Sequence, residues 1–385
     1  YRGTIYANPA CRDLARILLA DSALLAQRDA DRSNRRFEAQ GRRARVEPLY
    51  TVDDAMETLR AFRAVGYGQP FEVVPGVELT FRDAGHILGS ASVWLRLREG
   101  DIERTLVFSG DLGQYGSPIL RDPEAGPAAD LVVMESTYGD RLHRDRAATL
   151  LELGEILRGA RKDGGNVLIP AFAVGRSQDL LYELGMHFDA WDLGRWRIFL
   201  DSPMAIEASE VYWRHSSLFD EEAQSLRLRA GSMPPLPNLT LCRTADESKA
   251  VNRITHGAIV IAGSGMCTGG RIVHHLEHNL ARPECDVVFT GFQAHGTPGR
   301  AIVDGNEYVR ISGSPVRVAA RIHTLGGFSA HGDQGDLLRW YEQVPGRPPV
   351  WLVHGESGSA TALRDELRSR GVRAEVAAPG NTVDL

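Results

Sequence analysis

Five short segments of this 385-residue chain each set one ligating or titratable side chain in a glycine-rich loop or directly after an apolar run. His86 lies in Ala84-Gly-His-Ile-Leu-Gly-Ser90, where small neighbours let a backbone pass close to a metal ion. Asp111 sits between glycines in Ser109-Gly-Asp-Leu-Gly113, a setting suited to a carboxylate that bridges two cations. Glu135 follows the run 131–134 and opens Glu135-Ser-Thr-Tyr-Gly139, while His354 follows the run 350–353 and leads into Gly355-Glu356. His331 lies in Phe328-Ser-Ala-His-Gly-Asp333. Singly, each has a plain alternative: a loop histidine, a turn aspartate, a histidine satisfied inside a core. Their recurrence in five separated loops points to one shared site.

Such loops need a scaffold that gathers them. The runs at 105–108, 131–134, 197–200 and 350–353 are too short for independent helices and suit strands buried on both faces. Segments of helical period at 147–161, 176–186 and 334–343 lie among them, and this alternation predicts a layered α/β fold with ligands at strand ends. Alternating residues at 77–81 and 93–97 predict an antiparallel pair with His86 on its connection. Asn8-Pro9 opens a helix expected to run to residue 20, with Asn8 as its cap. The proline-rich stretch 233–237 reads as a surface loop.

Composition narrows the class. Hydrophobic residues at 43% and charged residues at 24% are ordinary for a globular protein, and no apolar run approaches the roughly 20 residues of a membrane span, so no membrane partner is expected. Cys11, Cys242, Cys267 and Cys285 form no C-x-x-C pair, which argues against a thiolate metal site or a disulfide framework and for a cytoplasmic location. The net charge is −6, and Lys162 and Lys249 are the only lysines among 44 basic residues. Arginine enrichment suits phosphate contacts; codon bias in a GC-rich genome is the preferred reading. The densest stretch, 32–45, contains Glu38 and reads as a solvated helix or loop.

The five segments, with Pro170-Ala-Phe-Ala-Val-Gly-Arg176 and Gly265-Met-Cys-Thr-Gly-Gly-Arg271, occur in the order found in the metallo-β-lactamase-fold RNases of the β-CASP group. The likeness covers essentially the whole chain and resembles most the bacterial relatives of the pre-mRNA 3′-end cleavage endonuclease. It implies an α/β fold in which a metallo-β-lactamase αββα sandwich, residues 1–139 and 324–385, is interrupted by an inserted α/β β-CASP domain, residues 140–323. It implies two zinc ions (Zn2+) in a complete active site, with His86, Asp111 and His354 as metal ligands. Asp111 would bridge both ions, Glu135 would support a ligand or the proton network, and His331 would protonate the leaving oxygen. The implied substrate is single-stranded RNA, cut endonucleolytically with exonucleolytic trimming left open, and a homodimer is also left open. Within the insertion, the turn 263–266 follows the run 258–262 and its backbone N–H groups, with Ser264 and Gly265, could receive a phosphate. Arg176 could do likewise or simply pack at a helix start, and Ser329 completes the substrate-facing set. Met266 and Phe172 read as packing residues, and His274, His275 and His278 as a surface helix rather than a metal triad.

One departure stands out. Members of the family carry an H-x-H-x-D-H motif ahead of the segment matching 5–20, whereas the first histidine here is His86. The reading favours a truncated chain, with about 50 to 80 residues preceding Tyr1, and expects poor zinc binding and weak or absent catalysis. Two alternatives remain: a non-catalytic RNA-binding or scaffold homologue, against which intact Glu135, His331 and His354 speak, and a DNA-processing nuclease of the same fold. The resemblance favours RNA, since the DNA-directed branch usually has valine at the position of His354.

Overall fold

The computed structural model describes residues 2–230 and 236–383, so the loop expected at 233–237 falls largely outside the described residues. Two large sheets organise the chain. A seven-stranded mixed sheet has the order Ala374–Val376, Val350–Val353, Leu131–Glu135, Ile102–Phe108, Ala91–Glu99, Val77–Asp83, Phe71–Val74. A six-stranded sheet, parallel throughout, is built from the middle of the chain in the order Leu239–Leu241, Arg197–Leu200, Ala258–Ala262, Val167–Pro170, Asp286–Phe289, Arg321–Thr324. The first sheet recruits strands from both sides of the second, which is the interrupted α/β architecture expected from the sequence. Of the two facing β layers expected in the interrupted domain, the described residues form this sheet and a short parallel pair, Ile5–Ala7 with Phe62–Ala64.

Strand direction decides where the loops go. Val77–Asp83 and Ile102–Phe108 both run antiparallel to the intervening Ala91–Glu99, so they point the same way. Ile102–Phe108 is then parallel to Leu131–Glu135, and that strand to Val350–Val353. Four carboxyl ends therefore share one edge, as open α/β sheets require of a ligand site. One face of the sheet is held by Trp94, Val107, Val132, Met134 and Leu352, buried against Leu337 and Trp340 of the helix Gln334–Glu342 and Leu363 of the helix Ser357–Ser369. Burying each such side chain stabilises by about 1.5–3 kcal/mol.

The insertion has its own core, including Leu157, Ile169, Leu180, Ile198 and Ile259. Leu325 and Phe328 belong to that core as well, so its packing continues past residue 323 and delivers the chain directly to His331. The helix capped by Asn8, whose Oδ1 accepts the Ala10 N–H at 3.0 Å, runs Pro9–Ala39 and does not stop at residue 20. No proline or glycine interrupts residues 10–39, so nothing local stops it before Gly41. The expectation of a solvent-facing histidine helix is corrected at one position. In the helix Ile272–Asn279, His274 and His278 are exposed, but His275 turns inward and bonds through Nε2 to Asp201 Oδ2 at 2.7 Å.

Candidate active site

Asp83 ends its strand buried, and its Oδ1 accepts the Gly85 N–H at 3.0 Å, which turns the chain into the His86 loop. Burial pushes the Asp83 carboxyl up to about 7. The next loop docks on this one through Gly113, whose N–H donates to the Ala84 carbonyl at 2.8 Å. A Cβ on Gly113 would lie 1.9 Å from the Gly85 carbonyl oxygen, so only glycine permits the approach. The Gly332 N–H in turn donates to the Leu112 carbonyl at 2.8 Å, and Gly113 forms a β-bridge with His331. Three of the five segments are thus stitched together through glycine backbones. The other two meet through the strand register that pairs Val353 with Glu135.

The side chains converge accordingly. Asp111 directs Oδ2 toward His86 Nε2 at 3.9 Å and Oδ1 toward His354 Nδ1 at 3.3 Å. His86 and His331 have ring centroids 4.3 Å apart, and His331 and His354 5.9 Å. Glu135, 1% exposed, accepts the Leu112 N–H at 2.5 Å, and its carboxylate faces His331 Nδ1 at 3.2 Å. Burial pushes the Glu135 carboxyl up, but His331, Thr137 and the Leu112 N–H more than offset this and hold it below the usual range. Burial disfavours the His331 imidazolium, yet the Glu135 carboxylate overcomes it and the His331 pKa is raised. His86 goes the other way: burial, with His331 beside it, pushes it down to about 4. It is therefore neutral at pH 7, the form that binds a metal.

The donor chemistry fits a zinc ion. His86, Asp111 and His331 place one ligand atom each within 4.8 Å of one another, and the buried His86 Nδ1 has no hydrogen-bond partner. In this trio His331 stands where the sequence reading puts His354, while His354 approaches Asp111 from the opposite carboxylate oxygen. Three nitrogen and oxygen donors resemble the partial shell of a catalytic zinc site, which keeps a position open. Among the described residues no second cluster of this kind occurs.

The four substrate-facing residues fare differently. Ser329 lines a cleft of about 310 Å³ with Tyr138, His143, Arg144 and Phe292, between the two domains and beside His331. Ser264 closes its own turn: its Oγ accepts the Thr268 and Gly269 N–H groups and its N–H donates to the Gly269 carbonyl. The Gly265 carbonyl accepts from Gln293. Arg176 is buried, with Nη1 on Asp179 Oδ2 at 3.1 Å. Its guanidinium and that of Arg146 lie 5.6 and 5.2 Å from the Phe328 ring centre, so it packs beneath the His331 segment and is closed to a phosphate. Phe172, read as a packing residue, is 46% exposed.

Sequence reasoning missed Thr137 and His143. Thr137 Oγ1 lies 3.2 Å from His354 Nδ1 and donates to the His354 carbonyl, while His143 Nε2 lies 3.0 Å from the His331 carbonyl. Thr137 was visible inside the Glu135 segment. His143 had no glycine flank or strand end to mark it.

Comparison with known proteins places the chain in a family. Residues 177–302 match the family model of the Beta-Casp domain, and residues 315–379 match that of the Zn-dependent metallo-hydrolase RNA specificity domain. Ribonuclease TTHA0252 of Thermus thermophilus is 40% identical over 100% of this chain and 83% of its own length. The chain belongs to the β-CASP, metallo-β-lactamase-fold RNase family. The transcription termination factor FttA of Pyrococcus abyssi is 29% identical over 96% of this chain, which spans 56% of that archaeal protein. The FttA of Methanocaldococcus jannaschii is 27% identical, again over 96% of the chain and 57% of the relative. Family membership accounts for the interrupted fold. No helix among the described residues is long and apolar enough to cross a membrane.

Proposed function

We propose that this chain is the body of a zinc-dependent ribonuclease that hydrolyses phosphodiester bonds of single-stranded RNA, chiefly as an endonuclease. The observation that carries the reading is the Asp111 carboxylate with one oxygen toward His86 and the other toward His354, beside the Glu135–His331 pair. His86, Asp111 and His354 are the residues that would hold zinc, with His331 close beside them as the proton donor. Zinc bound there would supply a Lewis acid for the phosphoryl charge and acidify water near neutral pH. Glu135 favours the His331 imidazolium and orients the ring through Nδ1, which leaves Nε2 to donate a proton to the leaving oxygen. Thr137 fixes the His354 ring and carbonyl. The cleft lined by Ser329, Arg144 and the half-exposed Phe292 supports a single-stranded substrate, since a base can stack on Phe292 while arginine meets the backbone. Four free cysteines support a reducing, cytoplasmic compartment. The test is cleavage of a fluorescent 20-mer RNA with zinc added, by the chain fused behind an H-x-H-x-D-H segment of a family member, comparing that fusion with its Asp111→Ala and His331→Ala variants. The fusion should cut, and each variant should lose at least about 100-fold, the usual scale for a positioned acid or base. Undiminished cleavage in both variants would sink the assignment.

A further inference from the structure

The far end of the first long helix carries charge that the active site does not use. Between Arg28 and Arg45 seven arginines stand against Asp29, Asp31 and Glu38, a local net of +4 in a chain of net −6. All seven arginines are exposed. Arg32 lies 4.0 Å from Asp29, and among the described residues the other six have no carboxylate within that distance. The arrangement is also built rather than frayed. Asn34 clamps the returning loop with both ends of its amide, Nδ2 donating to the Val46 carbonyl at 2.9 Å and Oδ1 accepting the Val46 N–H at 2.8 Å. The Arg42 N–H caps the Phe37 carbonyl at 2.9 Å. The clamp lays the loop beside the helix and leaves a groove of about 700 Å³ in which Arg35, Arg42, Arg43 and Arg45 outnumber the two lining carboxylates, Asp31 and Glu38.

The same helix is anchored at the active site. Its first turn sits against the His86 loop so closely that a Cβ on Gly89 would lie 2.5 Å from the Cys11 nitrogen. Ala10, Leu14 and Leu88 share one buried cluster. Asp13 Oδ2 meets His215 Nε2 at 2.8 Å, bracing the helix on the inserted domain. From Cys11 to Arg35 the helix rises about 36 Å at about 1.5 Å per residue. A stacked strand advances about 3.4 Å per nucleotide, so the groove lies about ten nucleotides from the His86 loop.

We propose that this arginine groove is an auxiliary docking site for the phosphate backbone of a single-stranded RNA, about ten nucleotides from the bond to be cut. The inference rests on the ribonuclease reading and deepens it. Guanidinium forks match phosphate oxygens bidentately. A concave groove takes a strand, whereas a flat lipid surface meets protruding faces. The stretch that sequence reasoning left as a solvated helix or loop thus acquires a ligand.

The experiment is fluorescence anisotropy of the whole chain with 5-mer and 20-mer single-stranded RNAs across a salt series. It compares the parent with the combined Arg35→Gln, Arg42→Gln, Arg43→Gln, Arg45→Gln variant, and with the matching all-lysine variant. Removing four phosphate contacts should reduce the slope of log K against log salt by about 2.8, at about 0.7 per contact for a single strand. The 20-mer should lose about tenfold or more in affinity at low salt, the 5-mer should be unaffected, and the lysine variant should keep most of the slope. Circular dichroism confirms that the glutamine variant folds; if it does not, the lysine variant and the length dependence of the parent decide. Equal slopes for parent and glutamine variant, or no gain of the 20-mer over the 5-mer, would overturn the groove and leave the ribonuclease reading standing. A parent that binds neither RNA, together with no cleavage by the chain fused behind the H-x-H-x-D-H segment, would overturn both. Arginine-dependent binding to phosphatidylserine vesicles with no effect on RNA would overturn the groove in favour of a membrane surface.

Discussion

Replacing Glu135 by glutamine keeps the volume of the side chain and removes its charge, which isolates what the carboxylate does for His331. Glu135 is 1% exposed and faces His331 Nδ1 at 3.2 Å, so solvent does little to screen the pair. A hydrogen bond to a charged group stabilises by about 1.5–3 kcal/mol and a neutral one by about 0.5–1.5 kcal/mol. The substitution should therefore weaken the imidazolium by about 1–1.5 kcal/mol. At about 1.36 kcal/mol per unit, this lowers the His331 pKa by about one unit. The sign for stability follows from the two directions. The raised His331 pKa contributes stability that is present at low pH and lost as pH rises through the folded value. The lowered Glu135 pKa contributes stability that is present above its ordinary range and lost as pH falls through the folded value. The pair therefore supports the fold between those limits and fades on both sides. The assay is an NMR titration of the His331 ring in the metal-free chain, paired with the pH–rate profile for RNA cleavage. The ring titration should move down by about one unit, and the limb of the rate profile that depends on protonated His331 should move with it. An unchanged His331 titration in Glu135→Gln would refute the reasoning.

Two further outcomes follow from buried geometry. Asp201→Ala should destabilise the inserted domain by about 3–5 kcal/mol, because Asp201 is fully buried and its loss strands His275 at 2.7 Å, Ser248 at 2.6 Å and Arg271 at 2.5 Å; urea unfolding followed by tryptophan fluorescence should show that transition at lower denaturant. Gly113→Ala should push the Asp111 loop off the His86 loop at the point where a Cβ would meet the Gly85 carbonyl at 1.9 Å, so zinc retained after dialysis, read by elemental mass spectrometry, should fall well below the parent value.

Much of the site was legible because its chemistry is local. His86, Asp111, Glu135, His331 and His354 stand out by flanking glycines and strand ends, and all five meet at one sheet edge. Strands such as Arg197–Leu200, Ala258–Ala262 and Val350–Val353 were legible because a run apolar on both faces has few other fates. The length of the first helix was under-read because its continuation to Ala39 depends on the absence of breakers, not on a positive signal. Arg176 and His275 were ambiguous for a different reason. A charged side chain at a helix start or on a helix face gives no hint whether its partner is solvent, phosphate or a buried carboxylate.

Sequence by itself determined the residue types, their order and the local frames that aim them: glycines where backbones must touch, apolar strands that end in ligands. Tertiary structure alone decided which of those ligands share a centre. Strand register set Glu135 beside His354, and the loop contacts at Gly113 and Gly332 drew His331 in among His86 and Asp111. It also decided which arginines are free, burying Arg176 on Asp179 while leaving Arg35, Arg42, Arg43 and Arg45 lining an open groove. Pairing between segments far apart in the chain depends on distances in space, and a linear pattern carries chemistry but not those distances.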